Sequence, residues 1–233
     1  MTDPDSFRRI VVRAPGWLGD AILSLPAAAA IRREVAAHLA IAAPASIAPI
    51  FREETPVAPD EVIELPDSTR DAVAILKRGS FDAGILFPNS FRSAWQFRRA
   101  GIGARWGYGT AGRGFLLTRR SLGGRGAGQQ HLIDYYRNLV RGLDIACAED
   151  EHPLLRPSPA SAGRAAALFA ERQVAPDTPV VGFAPGAAYG QAKQWPPDRM
   201  AQVIARLALA GEGRSCGWSS SAHAMSRPRT RLR

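Results

Sequence analysis

Short apolar runs alternate with stretches of helical spacing along most of the chain. The runs are apolar at almost every position, which is typical of strands buried on both faces of a parallel sheet. Because helical segments separate them, the pattern predicts an α/β fold with a parallel, doubly wound sheet. The predicted strands are residues 10–14, 39–43, 62–65, 83–87 and 179–184. Shorter extended segments are predicted at residues 104–107 and 116–118.

Capping and breaking residues mark the predicted helix ends. The first helix is predicted to run from Asp20 toward residue 35, with Pro26 bending it or lying in its early turns. Ser68 is placed to cap a helix that Gly79 ends. Further helices are predicted at residues 90–100, 130–143, 160–171 and 198–210, the last with one apolar face formed by Met200, Val203, Ile204 and Leu207.

The repeated strand–helix pattern predicts two domains. Residues 1–150 form the first, and residues 151–175 form a linker, rich in proline and charge, with a connecting helix. Residues 176–213 begin a second α/β domain, because a strand and a helix appear again. Residues 214–233 have no periodicity and form an aberrant basic tail. We expect a chain truncated by a reading-frame shift; the alternative is a natural flexible tail.

Composition and charge narrow the function classes. The net charge is +9, and residues 83–133 hold eight arginines and no acidic residue. Such a surface attracts polyanions: nucleic acid, anionic lipid or a phosphorylated glycan. The two cysteines form neither a disulfide framework nor a metal-binding spacing, so a reducing cytoplasm is expected. The N-terminus lacks a signal-peptide pattern, and no apolar run reaches the ~20 residues of a spanning helix.

Asp20 follows the first strand at the point where a glycine-containing turn becomes a helix. Ligands of open α/β sheets bind outside the carboxyl ends of the strands, so this carboxylate is a candidate catalytic base. The alternative is that Asp20 only caps the helix. Gly16 and Gly19 would let the backbone approach a ligand closely, or would supply a tight turn with positive φ.

A second predicted strand–loop–helix segment contains a positively charged side chain, that of Lys193. Lys193 lies before a helix whose first turn Pro196 and Pro197 pre-set, and a lysine beside a helix N-terminus can bind a departing phosphate. The alternative is a solvated surface lysine. The candidate donor-binding residues of this segment are Gly186, Gly190, Lys193 and Trp195. For Trp195, packing in the core is the commoner role of a tryptophan.

Polar residues also follow the strand at 83–87. Asn89, Ser90, Arg92 and Ser93 could bind a sugar or its phosphate, and arginine suits phosphate through its bidentate fork. Helix capping is the alternative for Asn89 and Ser90. His131, at the start of a helix, could meet an anionic glycan or serve a structural role.

Three ordered motifs carry a family resemblance. They are Pro-Gly-Trp-Leu-Gly-Asp at residues 15–20, Pro-Asn-Ser-Phe-Arg-Ser at 88–93 and Ala-Lys-Gln-Trp-Pro at 192–196. With them the chain resembles the ADP-heptose:lipopolysaccharide heptosyltransferases, most closely the heptosyltransferase II type. The resemblance implies a GT-B architecture: a Rossmann-like N-terminal domain and, here, an incomplete Rossmann-like C-terminal domain. Members of the family extend roughly a hundred residues further.

The resemblance also implies roles for the candidate residues. Asp20 would be the catalytic base of an inverting, metal-independent transfer of heptose from ADP-heptose. Lys193 would receive the departing diphosphate. No cofactor is implied beyond the donor substrate. The acceptor would be a Kdo-lipid A type molecule at the inner leaflet of the inner membrane, which places the protein in the cytoplasm, peripheral to that membrane. The residues that bind this acceptor would be Gly19, Asn89, Ser90, Arg92, Ser93 and His131.

Two other function classes compete with this one. A non-catalytic Rossmann-like domain that binds anions or nucleic acid fits the basic charge, but residues 83–133 lack an RNA-binding aromatic pattern and a helix-turn-helix signal. A nucleotide-dependent oxidoreductase does not fit, because the first turn lacks Gly-x-Gly-x-x-Gly. For the chain as it stands, weak or no transfer activity is expected.

Overall fold

The computed structural model describes residues 7–121, 130–184, 186, 192 and 194–210. The chain divides into two compact units, Met1–Ala162 and Gly163–Arg233. The predicted domain boundary near residue 150 and the predicted reading-frame shift stay predictions, and the tail on which the latter rests lies outside the described residues.

The first unit is built on a six-stranded sheet in which every neighbouring pair is parallel. The strand order is β3-β2-β1-β4-β5-β6, which is the order of a doubly wound Rossmann sheet. This confirms the predicted fold class. The strands are β1 Arg9–Arg13, β2 His38–Pro44, β3 Glu61–Leu65, β4 Ala83–Leu86, β5 Ala104–Tyr108 and β6 Arg119–Ser121.

Alternating side chains of the strands enter two separate cores. In β1, Ile10 and Val12 enter the core on one face of the sheet, and Val11 enters the core on the other. All three are almost fully buried. Each such side chain contributes about 1.5–3 kcal/mol of transfer free energy when it leaves water. Both faces are therefore covered, as the continuous apolar runs predict.

Helices of the first unit cover the two faces. The first face carries α1 Leu18–Leu23, α2 Leu25–Glu34 and α5 Leu132–Arg141, and the second carries α3 Thr69–Arg78 and α4 Phe91–Arg99. The Ser68 hydroxyl accepts the backbone N–H of Asp71, and Gly79 follows the last residue of α3. The predicted bounds of that helix are confirmed because both signals are local.

The predicted single helix from Asp20 is wrong in one respect. Two helices occupy this stretch and meet at Ser24, which is buried and donates its hydroxyl to the carbonyl of Ala21 at 2.7 Å. Pro26 lies in the first turn of α2, where its missing N–H leaves no hydrogen bond unmade. Of the predicted extended segment 116–118, Leu116 ends a short 3₁₀ turn, Gly114–Leu116, Leu117 is extended, and the strand β6 begins only at Arg119.

The second unit includes most of α6 Pro159–Glu171 and all of α7 Pro197–Ala210, close to their predicted bounds. The predicted strand at residues 179–184 is wrong: this segment has no strand pairing, and Val180 and Val181 are both more than half exposed. No other described segment of this unit is extended and hydrogen-bonded beside it. A strand is defined by its neighbour, so apolar composition alone does not form one.

Candidate active site at the carboxyl edge of the sheet

The topological switch point of the sheet lies between β1 and β4. These strands are neighbours, but the chain leaves β1 toward α1 on one face and leaves β4 toward α4 on the other. The two loops diverge and open a crevice at the carboxyl edge, where ligands of such sheets bind. Asp20 follows β1, and Asn89, Ser90, Arg92 and Ser93 follow β4, so the fold brings two separate sequence motifs to the same edge of the sheet.

Asp20 is the third residue of α1 and is half-buried. The N-cap is Trp17, so the alternative that Asp20 caps this helix is wrong. The side chain forms no hydrogen bond or ion pair with another described residue, and its charge adds to burial in raising the pKa of Tyr136. Asp20 therefore lies within electrostatic reach of Tyr136 on α5, with its oxygens unoccupied by protein donors in the described part of the chain.

Neither Gly16 nor Gly19 has a positive φ, so the alternative that these glycines supply a tight turn with positive φ is wrong. Among the described glycines, only Gly101 and Gly112 have positive φ. A Cβ atom built at Gly16 or Gly19 would meet nothing within 4 Å. The local backbone therefore requires neither glycine, and open space lies in front of both.

Substituting Gly19 with alanine separates folding from ligand approach. Gly19 is the second residue of α1, where alanine is the better helix former, so the free energy of unfolding should rise by up to about 1 kcal/mol. If a ligand approaches this backbone closely, the same methyl group should weaken acceptor binding. Urea unfolding and acceptor titration of one variant measure both effects. Unchanged acceptor affinity would remove Gly19 from the site.

The loop after β4 is held by a buried arginine that the sequence analysis did not single out. Arg113 is fully buried. Its guanidinium donates to the carbonyls of Tyr108 at 3.0 Å, Pro88, and Ser90 at 3.3 Å. It also donates to the side-chain oxygen of Asn89 at 3.1 Å. One side chain thereby sets the path of the loop that presents the candidate polar residues.

Burial lowers the pKa of Arg113 to about 10, so its guanidinium is charged at neutral pH. No periodicity or motif marks this residue in the sequence, where it stands between Gly112 and Gly114 as one of eight arginines in an acid-free stretch. Its partners are distant in sequence, and only the fold places their carbonyls around one guanidinium. We class Arg113 as a positioning residue.

Two tyrosines of α5 connect the two motifs. Asn89 donates its side-chain amide to the hydroxyl of Tyr135, and Tyr135 contacts Tyr136 edge-on with ring centroids 5.2 Å apart. Tyr136 in turn lies near Asp20. The backbone of Tyr135 also accepts the Tyr108 hydroxyl at 2.8 Å. Asn89 therefore contacts this aromatic pair through a hydrogen bond, whereas Asp20 acts on the pair through its charge.

Capping was the alternative role for Asn89 and Ser90, and the structure assigns it to Ser90, which is the N-cap of α4. The Ser90 hydroxyl accepts the backbone N–H of Ser93 at 3.2 Å, and the Ser93 hydroxyl donates to the Ser90 carbonyl at 2.8 Å. His131 likewise caps α5, its ring Nδ1 accepting the N–H of Ile133 at 3.3 Å while the side chain stays exposed. Capping does not exclude ligand binding, so both roles stay open.

A cleft of about 300 Å³ lies beside this loop. Two guanidiniums, those of Arg13 and Arg92, line it with no salt bridge to a described residue. Burial, and to a smaller extent the charge of Arg92, lowers the pKa of Arg13 to about 10. The Arg13 Nε is buried and has no hydrogen-bond partner among the described residues. Other residues on the cleft walls are Gly16, Asp67, Ser90 and Ser93.

The two arginines repel each other, and no carboxylate of the described residues lies within salt-bridge distance of either one. An anion between them would relieve that repulsion, and a phosphate or carboxylate matches the planar fork of arginine. Arg13 was not singled out from the sequence, because its position inside a buried strand gives no sign that its guanidinium reaches a cleft.

The candidate donor-side residues belong to the second unit. Gly186 and Trp195 are exposed, and the Trp195 ring contacts Phe183 with centroids 6.4 Å apart. Lys193 and Gly190 lie outside the described residues. In the part of the chain that the structure describes, no group of His, Cys, Asp and Glu side chains could hold a metal ion, and no helix is long and apolar enough to cross a membrane.

Comparison with known proteins decides the family. The model of glycosyltransferase family 9 (heptosyltransferase) matches residues 71–227, which is most of the chain and includes part of the predicted tail. The chain belongs to glycosyltransferase family 9. The resemblance stated from the three motifs is thereby confirmed.

Curated relatives and solved structures agree with this assignment. The chain is 27% identical to lipooligosaccharide heptosyltransferase 2 of Haemophilus influenzae over 87% of its length and 61% of the relative's. It is also 27% identical to lipopolysaccharide heptosyltransferase 2 of Salmonella typhimurium, over 85% and 60% of the two lengths. The structure of E. coli ADP-heptose lps heptosyltransferase II matches with a TM-score of 0.69 at 26% identity, covering 87% of this chain and 62% of that one.

A family 9 glycosyltransferase from Veillonella parvula matches with a TM-score of 0.72 at 19% identity, over 90% of this chain and 62% of that one, and supports the fold alone. The chain thus spans about 60% of the length of the family 9 relatives it matches.

Proposed function

We propose that this chain carries the acceptor-side half of a family 9 heptosyltransferase that transfers heptose from ADP-heptose to the lipopolysaccharide inner core. The observation that carries the proposal is Asp20. It is a carboxylate at the switch point of the sheet, unoccupied by protein donors among the described residues and preceded by a backbone with open space in front of it. The family relationship supplies the class of reaction.

The proposed mechanism starts from the acceptor hydroxyl. The Asp20 carboxylate takes the hydroxyl proton as the oxygen attacks the anomeric carbon of the donor sugar. The bond from that carbon to the diphosphate oxygen breaks, and ADP leaves with the bonding electrons. Attack opposite the leaving group inverts the anomeric centre. Lys193 and the N-terminus of α7 would stabilise the departing diphosphate without a metal.

Arg13 and Arg92 suit the acceptor. A Kdo-lipid A type molecule carries carboxylates and phosphates, and the cleft between Gly16 and Ser90 holds two guanidiniums that lack a carboxylate partner among the described residues. Asn89, Ser90 and Ser93 would add hydrogen bonds to sugar hydroxyls, and His131 lies one helical turn before Tyr135 on α5. The proposed location is the cytoplasm, at the inner face of the inner membrane.

A transfer assay tests the function. ADP-heptose labelled in the sugar is incubated with an inner-core acceptor and an excess of the chain, so that one slow turnover is detectable. Label in the acceptor supports the proposal. If no label transfers, titration of the acceptor by calorimetry asks whether the acceptor half still binds. Absence of transfer, with equal affinity for single-stranded DNA and for the acceptor, would instead support the anion-binding alternative.

Replacing Arg92 with glutamine tests the anion cleft. Arg92 is exposed, and its described hydrogen bond is to the Thr69 hydroxyl at 3.0 Å, so the fold should be unaffected. Loss of one charged hydrogen bond should weaken acceptor binding by roughly 10–100-fold. The matched control is Arg78→Gln, which removes the same charge from an exposed position at the end of α3. Equal effects of the two substitutions would contradict an anion site in the cleft.

A further inference from the structure

An exposed aromatic cluster lies immediately after the candidate acceptor loop. Phe91, Trp95 and Phe115 are 45%, 39% and 63% exposed, although each is a large apolar side chain. Phe91 and Trp95 are four residues apart on α4, so they lie on the same face of the helix. Their rings are nearly parallel, with centroids 6.3 Å apart, and Phe115 lies 6.1 Å from Phe91.

Arginines border this cluster. The Arg99 guanidinium lies 5.8 Å from the centre of the Trp95 ring, and Arg98 is exposed on the same helix. Neither arginine forms a salt bridge within the described part of the chain. Phe91, Trp95, Phe115, Arg98 and Arg99 together are called the aromatic–arginine surface. No acidic residue occurs in the sequence between Asp82 and Asp134, so the segment that supplies this surface is wholly basic.

We propose that the aromatic–arginine surface docks the protein on an anionic phospholipid bilayer. Aromatic side chains with an apolar body prefer the headgroup layer of a membrane, and exposed arginines are attracted to its negative surface. Exposed aromatic side chains and exposed arginines occur together in the aromatic–arginine surface of the first unit. The charge complements an anionic leaflet, and the aromatic rings supply the area that enters it.

The arrangement of the rings favours a membrane over single-stranded nucleic acid. Nucleic-acid platforms need free ring faces on which bases stack. Here the Arg99 guanidinium lies over the Trp95 ring, 5.8 Å from its centre, so a face of the central tryptophan is already partly occupied. Insertion of an aromatic side chain into a headgroup layer needs only exposed ring edges and does not need a free ring face.

The position of the surface matches the proposed acceptor. Ser90 caps α4 and lines the cleft, and Phe91 is the next residue. Docking through Phe91 and Trp95 would hold the cleft close to the headgroup layer, where a lipid-anchored acceptor presents its sugars. The choice of partner rests on the proposed function, but lipid binding is measured without donor or acceptor, so transfer and docking can fail separately.

Vesicle flotation of the 233-residue chain tests the proposal. Vesicles of phosphatidylglycerol and phosphatidylcholine in equal parts should carry the protein, and vesicles of phosphatidylcholine alone should not. Each arginine near an anionic leaflet raises the partition coefficient about fivefold, so Arg98→Gln with Arg99→Gln should weaken binding by about 25-fold. Trp95→Ser with Phe115→Ser should weaken it by at least about tenfold.

Matched controls remove the same chemistry elsewhere. Arg8→Gln with Arg172→Gln removes two exposed arginines outside the surface, and Leu154→Ser with Leu155→Ser removes two exposed apolar side chains. Both controls should float like the unsubstituted chain, and circular dichroism should show all variants folded. Equal losses in test and control variants would overturn the proposal. So would a dimer, seen by sedimentation, that Trp95→Ser abolishes while vesicle binding persists.

Discussion

Replacing Asp20 with asparagine should lower the rate of heptose transfer by about 10²–10⁴-fold. The amide keeps the size of the side chain but cannot accept the proton of the attacking hydroxyl. The structure provides no second carboxylate hydrogen-bonded to Asp20 among the described residues that could take over this role. Single-turnover transfer with the chain in excess measures the rate, and acceptor titration checks that binding is retained.

Asp71→Asn is the matched control for this substitution. Asp71 is the third residue of α3, the same helical position that Asp20 occupies in α1, and it is exposed. Both substitutions remove a negative charge from a first helical turn, which costs about 0.3–1 kcal/mol of stability. Only loss of the base should slow transfer. A full rate in the Asp20 variant would end the proposal that this carboxylate accepts the proton.

Replacing Arg113 with methionine should lower the free energy of unfolding by about 3 kcal/mol or more. Methionine occupies similar space, but the carbonyls of Tyr108, Pro88 and Ser90 and the side chain of Asn89 lose a charged donor inside the protein. Urea unfolding followed by circular dichroism measures the change. Lysine should not restore stability, because a single ammonium cannot reach acceptors that a planar guanidinium spans.

Arg120→Met controls for the general loss of an arginine. Arg120 is exposed and donates to one carbonyl, that of Gly114 at 3.2 Å, so its replacement should change stability by no more than about 0.5 kcal/mol. In an Arg113→Met variant that stays folded at low temperature, local unfolding of the loop after β4 should also weaken acceptor binding. Equal stability of the two variants would show that Arg113 does not hold this loop.

The location of the candidate site was predictable from local sequence signals, but its internal contacts were not. Asp20 and the Asn89–Ser93 segment follow apolar runs, and parallel strands bring the ends of such runs to one edge. Arg13 and Arg113 escaped prediction, because their significance depends on partners far away in the sequence. Whether Lys193 completes the site stays a prediction.

The sequence by itself determined the alternation of strands and helices in the first unit and the ends of α3, since burial periodicity and caps act over a few residues. It also determined the family, through three short motifs. Only the tertiary structure decided that α1 and α2 separate at Ser24, that residues 179–184 are not a strand, and that buried Arg113 organises the loop after β4. These features depend on hydrogen bonds and burial between distant segments, which no local pattern encodes.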